Sequence, residues 1–137
     1  MAHPKSLFHA EVVNDQALQG EAFVKNDGLR VVISDPLSPD LGTNPEELLG
    51  LSLSTCLNAT IQALLKGRGL KNKSQVEVHI DLVPEEKGGF FFEVLALAKI
   101  ESLPFEKADR IVQAAEKHCP VAKLLEGSKT VTVKTVE

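Results

Sequence analysis

Tryptophan and tyrosine are absent from this sequence and phenylalanine occurs only six times, so a flat aromatic ligand would find few rings to stack against. Positive charge is also in short supply: 15 Lys and Arg stand against 19 Asp and Glu, for a net charge of −4. A nucleic-acid partner, which needs clustered cations to neutralise phosphates, is therefore not expected. Residues 1–15 hold no apolar stretch of signal-peptide length, and Ser52, Ser54, Thr55 and Asn58 interrupt the most apolar segment. Neither export nor a membrane span is expected on those grounds, and a cytoplasmic location is the simplest reading. Cysteine occurs twice, as Cys56 and Cys119; in a reducing compartment such a pair is not expected to be a permanent staple. A zinc site using these thiols would lack the usual local signature, since neither CxxC nor HxxxH spacing occurs.

What is present is an ordinary globular composition, 43% hydrophobic and 25% charged, in a chain long enough for a single domain over residues 1–137. It is organised around residues 42–70, GTNPEELLGLSLSTCLNATIQALLKGRGL. Asn44 suits a helix cap, Pro45 the first helical position, and Glu47 completes a capping-box spacing. Lys66 and Arg68 suit the C-terminal dipole, and Gly67 and Gly69 can end the helix. Between these signals the apolar residues spread around most of the circumference, which predicts a buried central helix. Covering such a helix takes more than one small sheet, so an intimate homodimer is expected.

Either side of this helix the pattern is mostly strand. LFHAEVV (7–13), EAFVK (21–25) and LRVVIS (29–34) precede it, with a hairpin signal at Asp27-Gly28. A Pro- and Asp-rich loop, 35–43, leads into the helix. QVEVHIDLVP (75–84) and FFFEVLALAKIE (90–101) alternate as half-buried strands. A helix over 105–118, a short one starting at Pro120 and a closing strand over 128–137 complete the chain. The order βββαββααβ predicts an α+β fold of largely antiparallel sheets.

The two thiols sit in different settings. Cys119 is at the cap position of the short third helix, where free N–H groups favour an anion and a lowered thiol pKa is expected. Cys56 lies mid-helix and needs a cation brought by another segment to work as a thiolate. Packing is the competing interpretation, because free cysteine is among the most buried residue types. His118 and His79 could each serve a Cys–His nucleophile only by meeting it in space. Glu46 and Glu47 are in the first helical turn, where acids suit the dipole.

GTNPEELLG (42–50), Cys56 ten residues after Glu46, and His118-Cys119-Pro120-Val121 before a final strand together resemble the OsmC/Ohr family of thiol peroxidases. The resemblance covers essentially the whole chain. It implies an interlocked homodimer with long central helices enclosed by sheets from both chains. It implies that Cys56 is the peroxidatic cysteine, attacking an organic hydroperoxide, and that Cys119 is the resolving cysteine, which closes a disulfide with it. Glu46 matches the glutamate that orients a catalytic arginine. A dithiol such as dihydrolipoamide is the implied reductant, and no cofactor or metal is implied. The organic-hydroperoxide branch carries its arginine in an early turn, near Gln19 here, whereas the OsmC branch carries it on a strand before the helix, which points to Arg30. Strand parity puts Arg30 opposite in sense to Leu29, Val31 and Ile33, on the outward face. Thr55 also replaces the small residue often found before the reactive cysteine. Leu53, Leu57 and Phe91 or Phe92 would line an apolar peroxide pocket. The alternative within the same fold is a small-molecule binding protein with little peroxidase turnover.

Overall fold

The computed structural model describes residues 2–137. Among them run six strands and three helices, in the order β1 (Val12–Asn14), β2 (Glu21–Val24), β3 (Arg30–Val32), α1 (Pro45–Gly67), β4 (Ser74–Pro84), β5 (Phe90–Ile100), α2 (Phe105–His118), α3 (Pro120–Leu124) and β6 (Val131–Val136). They form two compact units, the first ending at Pro45 and the second spanning Glu46–Glu137.

The first unit is an antiparallel meander, β1-β2-β3. The first strand starts at Val12, several residues later than expected. Leu7 and Phe8, read as strand residues, are 103% and 86% exposed; apolar alternation there is not matched by a pairing strand within this chain. The β2–β3 turn uses Asn26 and Asp27 at φ 63° and 61°, a left-handed pair these two side chains tolerate and hairpin twist favours. The turn residues therefore fall one position before the expected Asp-Gly pair. In the loop that follows, Gly42 has φ 149°, and a Cβ there would meet Ser34 N and Val32 O at 3.0 Å. Only glycine fits this close approach without displacement.

In the second unit β4 and β5 pair antiparallel over their whole length, from Ser74↔Ile100 to Pro84↔Phe90. β6 then lies parallel to β5, with Val94 opposite Val131 and Lys99 opposite Val136. The expectation of antiparallel sheets is thus corrected for this last strand. Leaving β5, the chain passes through α2 and α3 before returning, and a crossover of that length delivers a parallel strand.

The inner face of this sheet presents Val94, Ala96, Ala98 and Ile100 from β5 to a core shared with Leu53, Leu57, Ile61 and Leu65 of α1 and Ala108, Ile111, Val112 and Ala115 of α2. The α1 residues recur every fourth position, so they form one stripe. Ala96 and Ala98, both fully buried, leave room in the sheet centre for those branched side chains. The stripe is narrower than expected: within one chain Leu48 and Leu51 stay 36% and 63% exposed. The central helix is buried along one face here, not all round. At 23 residues, with an 18-residue window of mean hydropathy 1.5, it is also long and apolar enough, by length and composition, to cross a bilayer, contrary to the expectation from its interruptions. Ser52, Ser54 and Thr55 lower hydropathy little, and the leucines around Asn58 outweigh it. Leu53, Leu57, Ile61 and Leu65 pack into protein, as in the core helix of a globular fold.

Candidate active site: two thiols at one core

α1 carries Cys56 on its fourth turn, partly exposed, between the buried Leu53 and Leu57. Thr60 Oγ1 donates to the Cys56 carbonyl at 2.9 Å, a back-bond that ties its hydroxyl to the helix. Cys119 comes from the other end of the unit. Pro120 is the first residue of α3 and cannot donate a backbone hydrogen bond, so the chain turns into the helix at Cys119. The Cys119 sulfur is fully buried and accepts from the Ala122 N–H at 3.4 Å. The cap position read from the sequence is therefore occupied as expected.

Both thiols are free, and Cys56 packs against the core cluster that contains Cys119, close enough to raise the Cys119 pKa. The helix-start argument, however, has the wrong sign for Cys119. Burial pushes its pKa up; the Ala122 N–H opposes this, the neighbouring Cys56 thiol raises it further, and the Val121 N–H opposes again. A helix of five residues supplies little dipole, and desolvation of the sulfur wins.

The remaining expected groups are placed less centrally. α1 is helical without a break from Pro45 to Gly67, so Glu46 and Cys56 are about 15 Å apart along the axis. Glu46 lines an open groove of about 450 Å³ with Gly50, Leu51, Val78 and Ile80. Arg30, in the other unit, is exposed; its Nε donates to Glu21 Oε1 at 3.1 Å and its Cζ lies 4.3 Å from the Phe23 ring centroid. Strand parity had this right: Ile33 is buried while Arg30 faces outward. Gln19, at the early-turn position, is exposed and donates its backbone N–H to the Gln16 carbonyl. His118 is exposed beside Cys119, and His79 pairs with Glu77 on the exposed face of β4. Leu53 and Leu57 are fully buried, and Phe91 and Phe92 half-buried. Among the described residues no three of His, Cys, Asp and Glu are grouped so as to hold a metal ion.

Behind α3 lies a cavity of about 570 Å³ lined by Leu53, Leu125, Val131 and Val133, with Glu116 and Glu126 at it. Burial raises the Glu116 pKa and the Glu126 charge adds to it. Ala122, whose N–H meets the Cys119 sulfur, also lines this cavity. Sequence inspection missed three contacts made by the candidate residues. They are the Ala122 N–H on Cys119 and the Glu21 and Phe23 side chains on Arg30. The latter two were detectable in principle, since alternate residues of β2 share one face.

The profile of OsmC-like proteins matches residues 38–134. Organic hydroperoxide resistance protein OhrB of Bacillus subtilis is 30% identical over 68% of this chain and 69% of its own length. Peroxiredoxin OsmC of Escherichia coli is 32% identical over 65% of this chain and 64% of its own. Among solved structures, a candidate redox protein from Lactobacillus casei superposes with a TM-score of 0.91 at 38% identity, covering 97% of this chain and 93% of its own. The crystal structure of Bacillus subtilis OhrB gives 0.86 at 27% identity, covering 96% and 100%.

Proposed function

This chain belongs to the family of OsmC-like proteins, and from that membership we propose that it reduces organic hydroperoxides to alcohols through Cys56 and Cys119. The observation that carries the reading is that Cys56 packs against the core cluster that contains Cys119, close enough to raise the Cys119 pKa. Two free thiols from separate elements thus share one core, the precondition for a disulfide between them.

In the proposed cycle the Cys56 thiolate attacks the distal peroxide oxygen. The O–O bond breaks, the sulfur becomes a sulfenic acid, and the alkoxide leaves as alcohol after taking a proton. Cys119 then displaces water from the sulfenic acid, forming the disulfide. An external dithiol, of the dihydrolipoamide type, reduces that disulfide and leaves as its own cyclic disulfide. The raised pKa of Cys119 suits this division of labour: it keeps its proton while Cys56 reacts first. Arg30 is assigned to the peroxide and thiolate, because a permanently charged fork can hold two oxygens or a sulfur together. Glu46 is assigned to orient that guanidinium; about 15 Å along α1 from Cys56, it acts on the arginine and not on the sulfur. The unit of function is a homodimer in the cytoplasm, supported by the uncovered Leu48 and Leu51 on α1. Neither metal nor bound cofactor enters the cycle.

A second reading, an OsmC-like binding protein without efficient turnover, is favoured by one observation: the Arg30 guanidinium is already engaged by Glu21 and Phe23. Intact mass analysis separates the two readings. One equivalent of an alkyl hydroperoxide should remove both thiols together with a mass loss of about two hydrogens. Persistence of both free thiols in excess hydroperoxide would leave only the binding protein.

A further inference from the structure

We propose that Glu21 and Phe23 are positioning residues that hold the Arg30 guanidinium for the peroxidase reaction; this rests on the reading that Arg30 acts on the peroxide. Glu21 and Phe23 are two apart on β2, so their side chains share one face of the first sheet. Phe23 is directly opposite Arg30 in the antiparallel register, and Glu21 is opposite Val32. Glu21 is thus the diagonal neighbour of Arg30, within reach of a long side chain. Both contacts are made. The Glu21 carboxylate accepts from Nε at 3.1 Å, and the cationic carbon lies 4.3 Å from the centroid of the Phe23 ring.

The two contacts restrain different motions. The carboxylate takes the Nε edge, which fixes rotation about the last side-chain bonds. The ring takes one face of the planar cation. Among the described residues no hydrogen bond or ion pair engages the terminal nitrogens of Arg30, so the fork that suits a peroxide or thiolate is left open. A lysine could not be held this way, having no Nε edge and no flat face. Glu21 and Phe23 therefore do more than pair two strands: they orient the fork while leaving its terminal donors open.

The same contacts admit the opposite outcome, in which Glu21 competes with the site for the cation, and the sign of one mutation distinguishes them. Steady-state kinetics with an alkyl hydroperoxide and saturating dithiol are measured for Glu21→Ala and Phe23→Leu, with Glu21→Gln and Phe23→Tyr as conservative counterparts. Positioning predicts that kcat/KM for the hydroperoxide falls about tenfold or more in the first two, since small displacements of a catalytic group cost that much. Glu21→Gln keeps an acceptor for Nε and Phe23→Tyr keeps the ring, so both should recover most of the rate and guard against loss of fold. In an Arg30→Met background the same substitutions should cost nothing further, a non-additivity that general damage to the sheet would not produce. Wild-type or faster rates in Glu21→Ala and Phe23→Leu, with Arg30→Met still slow, would overturn the positioning role alone. Wild-type rates in Arg30→Met would overturn the assignment of Arg30 and this role with it.

Discussion

Cys56, in the middle of a 23-residue helix, packs against the core that holds Cys119 at the cap of a five-residue one, close enough to raise the Cys119 pKa. The two sulfurs are unlike, one partly exposed and one fully buried. Everything proposed for this protein's chemistry follows from that asymmetry.

Its first consequence is a division of roles that mutation can separate. Cys56→Ser should abolish hydroperoxide consumption. Cys119→Ser should still consume about one equivalent per chain and then stall, its sulfenic acid lacking a partner and open to further oxidation. Mass spectrometry of the stalled protein should find added oxygen on Cys56. Full turnover by either variant with a dithiol present would exclude the pair.

A second consequence concerns alkaline pH. Burial raises the Cys119 pKa above its ordinary 9.0 in the folded state. Folded protein thus holds that proton more tightly than unfolded chain, so the associated stability is intact below the unfolded pKa and is lost as pH rises through the folded one. Denaturation midpoints should fall above about pH 9 more steeply in wild type than in Cys119→Ala. Equal slopes would mean that the Cys119 proton is not linked to folding.

Glu116 offers the converse case for a carboxylate. Burial and the neighbouring Glu126 raise its pKa, so its ionisation disfavours the folded state at neutral pH and the penalty disappears once it is protonated below the unfolded pKa. Glu116→Gln should therefore stabilise by a few tenths of a kcal/mol at pH 7, an effect of about the size expected for exposed charges, and by nothing at pH 3.5. Thermal melts at the two pH values read the difference.

In the core, Leu57 and Ile61 are fully buried in the α1 stripe. Leu57→Ala should cost about 2–5 kcal/mol, seen as a lowered urea midpoint. The outer face of α1 should behave differently. Leu51, 63% exposed in one chain, is expected to lie in a homodimer interface, and Leu51→Asp should shift light scattering from dimer towards monomer. A wild-type monomer at micromolar concentration would contradict the dimer itself.

Much of this was legible in the residues. The second helix, 105–118, has the bounds its Pro104 start and its Ala108, Ile111, Val112 and Ala115 spacing predict, because a narrow apolar stripe on a polar helix admits one orientation. β4 and β5 were equally clear, alternating over 11 residues each. Other features depended on facts no local pattern carries. Leu7 and Phe8 alternate like a strand, yet a strand exists only where a second one pairs with it. The direction of β6 follows from the path through α2 and α3, not from its own alternation. The sign of the Cys119 shift turned on burial, which the sequence around a cap does not report. Arg30 could be nominated by the family resemblance and its face by parity, but its contacts with Glu21 and Phe23 required the register.

The most direct test is stopped-flow consumption of an alkyl hydroperoxide by the reduced wild-type protein under saturating dithiol, with hydrogen peroxide in parallel. The two-thiol account predicts many turnovers per chain, faster with the alkyl hydroperoxide, and loss of all consumption in Cys56→Ser. Consumption that stops below one equivalent per chain, or that survives in Cys56→Ser, would contradict it.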